Sequence, residues 1–173
     1  MRKPRRIIVG ATYHVVARAN RREYILHSDI MKQLFLETLT RAKQRYRFSV
    51  TNVCLMGNHF HLIMTPARDE SISRIMQWIL SVFAVRYNRK HGFQGHVWYD
   101  RFKSKAITSL RQFAATFAYV CNNPVRAGIA SHPADYRFGG PALLCSGPPG
   151  AVDTPGLLVN LLFPWFSVAR LPR

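Results

Sequence analysis

The alternation of apolar and polar positions predicts four β-strands. Residues 11–19, ATYHVVARA, and residues 47–56, RFSVTNVCLM, are both rich in β-branched and aromatic side chains. Residues 59–66, HFHLIMTP, form a third strand, and the Gly-Asn pair in front of it is a two-residue hairpin signal. Residues 97–107, VWYDRFKSKAI, supply a fourth strand that is partly basic.

Three helices are predicted between and after these strands. The first has Asp29 as its N-cap and runs to Arg45. The second follows Ser71 and repeats apolar residues at i, i+3, i+4 and i+7, which is typical of a helix with one buried side. The third follows Ser109 and must stop near Asn123, because the residue before a proline is disfavoured in the α region.

The resulting order, strand-helix-strand-strand-helix-strand, indicates an α+β, ferredoxin-like or RRM-like βαββαβ fold with an added helix toward the C-terminus. Helices should cover one face of the sheet and leave the other open as a working surface. We expect one domain over residues 1–138. Residues 139–156 are rich in Gly and Pro and are predicted to be irregular, within a tail of uncertain structure that spans 139–173.

The charge of the chain points to a polyanionic partner. Lys and Arg number 25 against 8 for Asp and Glu, which gives a formal charge of +17, far more than solubility requires. A membrane surface or a solvated basic face would be alternatives, but interleaved aromatic residues favour nucleic acid. The candidate DNA contacts are Arg86, Arg89, Lys90, Trp98, Arg101, Lys103, Lys105 and Arg126. For Trp98, packing in the core is an equally good interpretation.

Cysteine usage and the apolar runs bear on location. Cys54, Cys121 and Cys145 are far apart and form no C-x-x-C pair, which fits a reducing cytoplasm rather than a disulfide framework. The runs IIVGA and GLLVNLLFPWF are too short for a signal sequence or a membrane span. The sequence therefore predicts a cytoplasmic protein that is not anchored in a membrane.

Two histidines stand in the third predicted strand. Alternation directs Phe60 and Leu62 to the core and places His59 and His61 on the other face, with Cα atoms ~7 Å apart from twice the ~3.3 Å rise per residue. Two imidazoles so placed can bind one metal ion, although a pair of half-exposed strand histidines is the commoner outcome. The other histidines are predicted to be isolated surface or turn residues: His14, His27, His91, His96 and His132.

The third helix brings a further pair of polar residues. Its apolar stripe, expected to face the core, consists of Leu110, Phe113, Ala114, Phe117 and Cys121. Tyr119 lies about 200° around the helix from Phe117 at ~100° per residue, and Asn123 follows Tyr119 by one turn on the same side. Without the histidines, a surface tyrosine and a helix C-cap would explain both.

GNHFHLIM followed about sixty residues later by FAYVCNNPVRAGI resembles the single-tyrosine HUH transposases of the insertion-sequence type, in particular the REP-associated tyrosine transposases. The H-U-H motif, in which U is apolar, matches His59-Phe60-His61. The family's Y-x-x-x-N matches Tyr119 and Asn123, and VWYDRFKSKAI is similar to its W-x-x-R-F strand. The resemblance covers residues 7–138.

The resemblance implies a metal-dependent enzyme that nicks and rejoins single-stranded DNA with hairpin-forming ends. His59, His61 and Asn123 would hold one divalent cation, Mg²⁺ or Mn²⁺. Tyr119 would attack the phosphorus and remain joined to the 5′ end, leaving a free 3′-OH. The protein could be a monomer or a homodimer, and the sequence leaves open whether Tyr119 serves its own protomer.

Two other functions remain open at this point. A non-catalytic RRM-like binding module would carry aromatic residues on its central strands, where this chain has His59, His61 and either Thr51 or Asn52. A metal- or histidine-dependent phosphoesterase would cleave without a covalent intermediate. A histidine triad would need a third alternating histidine, but position 63 is Ile, and the paired H-x-[ST] motif of two-histidine phosphoesterases is absent.

Overall fold

The computed structural model describes residues 7–168, so the basic residues at positions 2–6 lie outside the described part. The strands are β1 (Thr12–Arg18), β2 (Phe48–Leu55), β3 (His59–Pro66) and β4 (Lys103–Ile107). They form one sheet in the order β2-β3-β1-β4, and each neighbouring pair is antiparallel. Helix α1 (Asp29–Arg45) joins β1 to β2, and α2 (Ile72–His91) joins β3 to β4. This succession is the one that the sequence predicts.

Serine side chains cap the three long helices. Ser28 rather than Asp29 caps α1, so the predicted cap is wrong by one residue: the Ser28 hydroxyl accepts from a backbone amide, while Asp29 lies in the first turn. An acidic residue there still interacts favourably with the helix dipole. Ser71 caps α2 and Ser109 caps α3 (Leu110–Cys121), both as predicted.

One face of the sheet packs on α1 and α2 through aromatic contacts. The ring of Phe35 on α1 lies 4.5 Å from that of Phe60 on β3 and 5.6 Å from that of Phe83 on α2, measured between centroids. Trp98 closes the group, 5.6 Å from Phe60 and 5.4 Å from Phe83. The core therefore includes the side of β3 predicted to face inward.

The opposite face of the sheet is covered, so the prediction of an open face is wrong. Helix α3 lies against β2 and β3. Asn52 on β2 donates a hydrogen bond to Cys121 Sγ on α3 at 3.0 Å, and both residues are buried. His61 is only 4% exposed and Ile63 is fully buried. The alternation along β3 predicts which residues share a face of the sheet, but it does not predict that α3 packs on the face of His61 and Ile63.

The helix α3 is turned slightly from the predicted orientation. Phe113, Phe117 and Cys121 are buried as expected, and Val120 is buried with them. Leu110 is 56% exposed, so the predicted stripe is wrong at its first position. Leu110 is the first residue of the helix, and its neighbours Ser109 and Arg111 are also exposed.

Four short helices follow α3: α4 (Asn123–Arg126), α5 (Gly140–Ser146), α6 (Leu157–Leu162) and α7 (Pro164–Val168). The prediction that residues 139–156 are irregular is therefore wrong for α5. Its proline occupies the first turn, where a missing N–H costs nothing and the ring fixes a helical φ.

The segment after residue 138 packs on the rest of the protein. Phe117 on α3 lies 4.5 Å from Phe163 and 4.9 Å from Phe166, between ring centroids. The Asp153 carboxylate accepts hydrogen bonds from Lys43 Nζ and from the backbone amide of Val50 on β2. In the described residues this segment shares the hydrophobic core of the sheet.

No helix between residues 7 and 168 combines the length and the apolar character needed to cross a membrane.

Candidate functional site

Three histidines meet on the face of the sheet that α3 covers. His59 and His61 come from β3, as predicted. His14 comes from β1, which pairs with β3 so that Val16 lies opposite His61. His14 Nε2 lies 2.9 Å from His61 Nδ1, and the two ring planes are 17° apart. The prediction that His14 is isolated is therefore wrong.

The sequence predicts which face of the sheet carries His14, but not which residue it contacts. Tyr13, Val15 and Ala17 are buried on the side of α1 and α2, so alternation along β1 turns His14 to the other side of the sheet. What the local pattern lacks is the strand order, which makes β1 the neighbour of β3. Only that pairing brings the imidazoles of His14 and His61 together.

The ring of His59 is held by its neighbours in the hairpin and by α4. Its Nδ1 lies 2.8 Å from the amide oxygen of Asn58. The amide nitrogen of Asn58 in turn donates to the carbonyl oxygen of Arg22 at 3.3 Å. Asn123, at the start of α4, forms a side-chain hydrogen bond with His59. The predicted residues His59 and Asn123 are thus brought together.

Tyr119 on α3 meets the histidines edge-on. Its ring centroid is 5.5 Å from that of His61 and 6.0 Å from that of His14. Tyr119 nevertheless remains 40% exposed, so part of its side chain is accessible from outside. The guanidinium carbon of Arg126 on α4 lies 5.5 Å from the Tyr119 ring centroid.

Burial keeps the imidazoles uncharged. Desolvation, followed by repulsion from the protonated forms of His59 and His14 and from Arg18, lowers the pKa of His61 to about 3. The pKa of His59 is also lowered, first by burial and then by Arg18, with the Asn123 hydrogen bond opposing both. Burial and then Lys105 lower the pKa of His14. Neutral imidazoles have lone pairs available, which is the form that binds metals.

The side chains present fit a divalent cation. His61 Nε2 is buried and has no hydrogen-bond partner among the described residues, which is unusual for a buried polar atom. The rings of His59 and His61 are 5.1 Å apart between centroids. Within residues 7–168 no group of three or more His, Cys, Asp or Glu side chains is arranged to hold a metal. A metal here would therefore combine two imidazoles with an amide oxygen, for which Asn123 is placed.

A basic groove of about 630 Å³ runs beside the histidines. We define the basic groove by its five basic lining residues, Arg18, Arg21, Arg22, Arg101 and Lys103, together with Tyr99, which is 74% exposed; the acidic Asp100 also lines it. Arg18 lies opposite His59 in the β1–β3 pairing, which connects the groove to the site. Arg21 and Arg22 have φ values of 49° and 59°, a left-handed conformation that is uncommon for residues other than glycine. Neither residue is among the DNA contacts predicted from the sequence.

A family model described as IS200-like transposase matches residues 8–123. The chain belongs to the IS200-like transposase family. The match confirms the predicted resemblance to single-tyrosine transposases and spans β1 through the start of α4. No curated protein matches this transposase.

Two solved structures are similar to this transposase. One is a REP-associated tyrosine transposase bound to a REP hairpin, with a TM-score of 0.68 and 22% identity over 80% of this chain and 82% of that one. It shows that the two proteins share a fold. The other is a proposed transposase of Deinococcus radiodurans R1, with a TM-score of 0.47 and 15% identity over 70% of this chain and 97% of that one.

The remaining predicted DNA contacts of this transposase fall in different places. Trp98 donates its indole N–H to the Leu80 carbonyl at 3.0 Å and packs in the core, which favours the packing interpretation. Arg86 on α2 forms an ion pair with Glu37 on α1 at 2.7 Å, which joins the two helices. The side chains that are exposed are Arg89, Lys90, Arg101, Lys103, Lys105 and Arg126.

Proposed function

We propose that this transposase nicks and rejoins single-stranded DNA next to a hairpin, as a metal-dependent enzyme with a 5′-phosphotyrosine intermediate. The observation that carries the proposal is the position of Tyr119, whose ring lies 5.5 Å from that of His61 and is still 40% exposed. The β2-β3-β1-β4 sheet with two crossing helices also supports the ferredoxin-like classification of the fold.

His59, His61 and Asn123 would hold one divalent cation, for which mixed nitrogen and oxygen ligands suit Mg²⁺ or Mn²⁺. When bound there, the cation would polarise a phosphoryl oxygen of the scissile phosphate. The unpartnered Nε2 of His61 and the neutral state of both rings support this assignment.

Tyr119 would act as the nucleophile. Its phenolic oxygen forms a bond to phosphorus as its proton is removed, and the bond from phosphorus to the 3′ oxygen breaks. The 3′ oxygen takes up a proton and leaves as a free 3′-OH, while the 5′ side of the DNA stays on Tyr119. Arg126, 5.5 Å from the Tyr119 ring, is placed to offset the negative charge that develops during this step.

Rejoining would follow by the reverse displacement. A 3′-OH attacks the phosphotyrosine, its oxygen forms the new phosphodiester, and Tyr119 leaves with a proton returned to its oxygen. Because the broken phosphodiester is conserved in the covalent bond to Tyr119, no nucleotide cofactor is required. This conservation distinguishes strand transfer from simple hydrolysis.

The DNA partner is proposed from charge and from one structural neighbour. The chain carries a formal charge of +17, and the basic groove leads from the histidines along β1 and β4. The similar REP-associated transposase is bound to a REP hairpin. We therefore propose single-stranded DNA with a hairpin as the substrate of this chain, in the cytoplasm as the cysteine pattern predicts.

Tyr119 and the histidines of one chain lie together, which supports an enzyme whose tyrosine serves its own protomer. On this proposal the monomer contains a whole site, and a second copy is not needed to supply the nucleophile. A homodimer remains compatible with this arrangement only if each subunit keeps its own α3.

The test is a covalent-adduct experiment with end-labelled single-stranded hairpin DNA and Mn²⁺ or Mg²⁺. We expect a protein-DNA adduct that survives denaturant. It should not form when EDTA is present, and it should be absent from Tyr119→Phe. Tyr24→Phe is the matched control, because Tyr24 is 70% exposed and its ring survives the change. An adduct that persists in Tyr119→Phe, or cleavage with no adduct, would contradict the proposal. Cleavage without an adduct indicates a phosphoesterase, and binding without cleavage indicates an RRM-like binding module.

A further inference from the structure

His14 has no role in the function proposed above, although it makes the shortest polar contact of His61. Its Nε2 lies 2.9 Å from His61 Nδ1, in a nearly parallel ring arrangement. Two ring nitrogens at this distance share one hydrogen. Either His61 donates from Nδ1, or His14 donates from Nε2. The choice decides what the other nitrogen of His61 presents to the site.

The surroundings of His61 Nε2 favour one of these arrangements. If His14 donates, His61 carries its hydrogen on Nε2, and a buried N–H then has no acceptor among the described residues. Leaving such a donor unsatisfied costs about 1–3 kcal/mol. If His61 donates from Nδ1, Nε2 presents a lone pair instead, which a cation can take. The geometry therefore favours His61 as the donor and His14 as the acceptor.

The neighbouring histidine shows the same arrangement with a different partner. Asn58 donates its amide N–H to the carbonyl oxygen of Arg22, which can only accept, so the amide oxygen of Asn58 must face His59. His59 Nδ1 is then the donor to that oxygen. Both imidazoles of β3 are thus held at Nδ1 by a neighbouring residue.

We propose that His14 is a positioning residue that accepts a hydrogen bond from His61 Nδ1 and so fixes the tautomer in which Nε2 of His61 offers a lone pair to a divalent cation. The inference rests on the metal site of the proposed function. Acceptors on the far nitrogen of a metal-binding histidine commonly orient the ring, and losing one costs 10- to 100-fold in metal affinity or activity.

Two measurements on the metal-free and metal-titrated protein test this role. Long-range ¹⁵N–¹H NMR should find His61 in the Nδ1–H tautomer in the wild type and mixed or Nε2–H in His14→Leu. Calorimetric titration with Mn²⁺ alone should show affinity about 10- to 100-fold weaker in His14→Leu. His14→Gln retains an acceptor oxygen and should recover part of the affinity. His27→Leu, an exposed histidine away from β1, is the matched control and should bind Mn²⁺ like the wild type.

The results separate this inference from the proposed function. A His61 Nε2–H tautomer in the wild type, or Mn²⁺ affinity unchanged within twofold in a folded His14→Leu, would overturn the role of His14 even if the DNA adduct forms. Direct coordination of Zn²⁺ by His14, seen as a coordination shift of its own ¹⁵N signals, would also overturn it. If both expected results appear but Tyr119 forms no adduct, the role of His14 stands and the proposed function fails. Thermal stability of His14→Leu and His14→Gln equal to that of the wild type excludes misfolding as the cause.

Discussion

Arg126 places its guanidinium carbon 5.5 Å from the centroid of the Tyr119 ring. The two residues belong to different helices, because the chain leaves α3 after Cys121 and begins α4 at Asn123. At this distance a planar cation can stabilise the electron-rich face of the Tyr119 ring.

We expect Arg126→Ala to slow adduct formation about 10- to 100-fold at saturating DNA, because a charge that offsets the developing phenolate is lost. Arg126→Lys keeps the charge but not the flat guanidinium, so it should recover only part of the rate. Single-turnover kinetics measure the effect. Arg111→Ala removes an exposed arginine from the first turn of α3, the helix of Tyr119, and should keep the wild-type rate. A wild-type rate in Arg126→Ala would show that this contact has no part in the chemistry.

Mixing two inactive variants tests whether the tyrosine acts within its own chain. Tyr119→Phe lacks the proposed nucleophile, and His61→Ala lacks a predicted metal ligand. Since the rings of Tyr119 and His61 are 5.5 Å apart within one chain, the mixture should form no adduct with hairpin DNA. Exchange of α3 between subunits would combine an intact tyrosine with intact histidines and restore activity. Wild-type protein at the concentration of each variant in the mixture gives the amount of adduct expected from intact sites.

Acid should destabilise the metal-free protein through His61. Its pKa in the folded protein is about 3, below the 6.5 of an unfolded histidine. Stability is therefore fully present above pH 6.5 and falls as the pH falls toward 3, because the unfolded chain takes up a proton that the folded chain does not. The slope from His61 alone is at most about 1.4 kcal/mol per pH unit.

Urea denaturation in EDTA between pH 7 and pH 4.5 measures that slope. His61→Gln should reduce it, since Gln does not titrate. His27→Gln, at an exposed position, should leave it as in the wild type. Identical pH dependence of the wild type and His61→Gln would show that His61 is not buried in the neutral form.

The basic groove should contribute to the salt dependence of DNA binding. Each phosphate contact on a single strand adds about −0.7 to the slope of log K against log salt. The double variant Arg21→Ala/Arg101→Ala should therefore have a slope shallower by about 1.4. Arg41→Ala/Arg74→Ala removes two exposed charges from α1 and α2, on the other side of the sheet, and should keep the wild-type slope. Fluorescence anisotropy with a hairpin that carries a single-stranded arm would measure both, and equal loss in the two double variants would indicate nonspecific attraction only.

Two glycines test whether the C-terminal segment belongs to the folded unit. A methyl group on Gly140 would overlap with the side-chain oxygen of Asn52 and touch the ring of Phe166. Asn52 cannot move away freely, because it also bonds Cys121 and its own neighbour in β2. Gly140→Ala should therefore lower the free energy of unfolding by about 1–3 kcal/mol. Gly156 has open space at the corresponding position, so Gly156→Ala should change it little. Equal stability of the two variants in urea would contradict the packing of α5 on β2.

The features that the sequence predicted well are local ones. The bounds of β3, its hairpin with β2 and the serines that cap α2 and α3 follow from alternation, turn residues and capping chemistry within a few positions. Tyr119 contacts His61, and Asn123 contacts His59, because α3 lies on the side of the sheet that carries the histidines.

The features that it missed depend on contacts between distant segments. His14 reaches His61 through a strand order that no local pattern records. The covered second face follows from packing by α3 and by a segment whose glycines and prolines were interpreted as irregular. Trp98 and Arg86 show a related difficulty, since a basic or aromatic residue reads the same in sequence whether it contacts DNA or another helix.

Phe117 lies only two positions before Tyr119, and its ring packs between Phe163 and Phe166 near the far end of the chain. The helix that carries Tyr119 therefore packs against residues beyond position 123, where the match to the family model ends. A fragment cut after position 138 would retain each residue of the proposed site while exposing the apolar side of α3 to water. The segment that matches the family is therefore shorter than the segment needed to keep the apolar side of α3 covered.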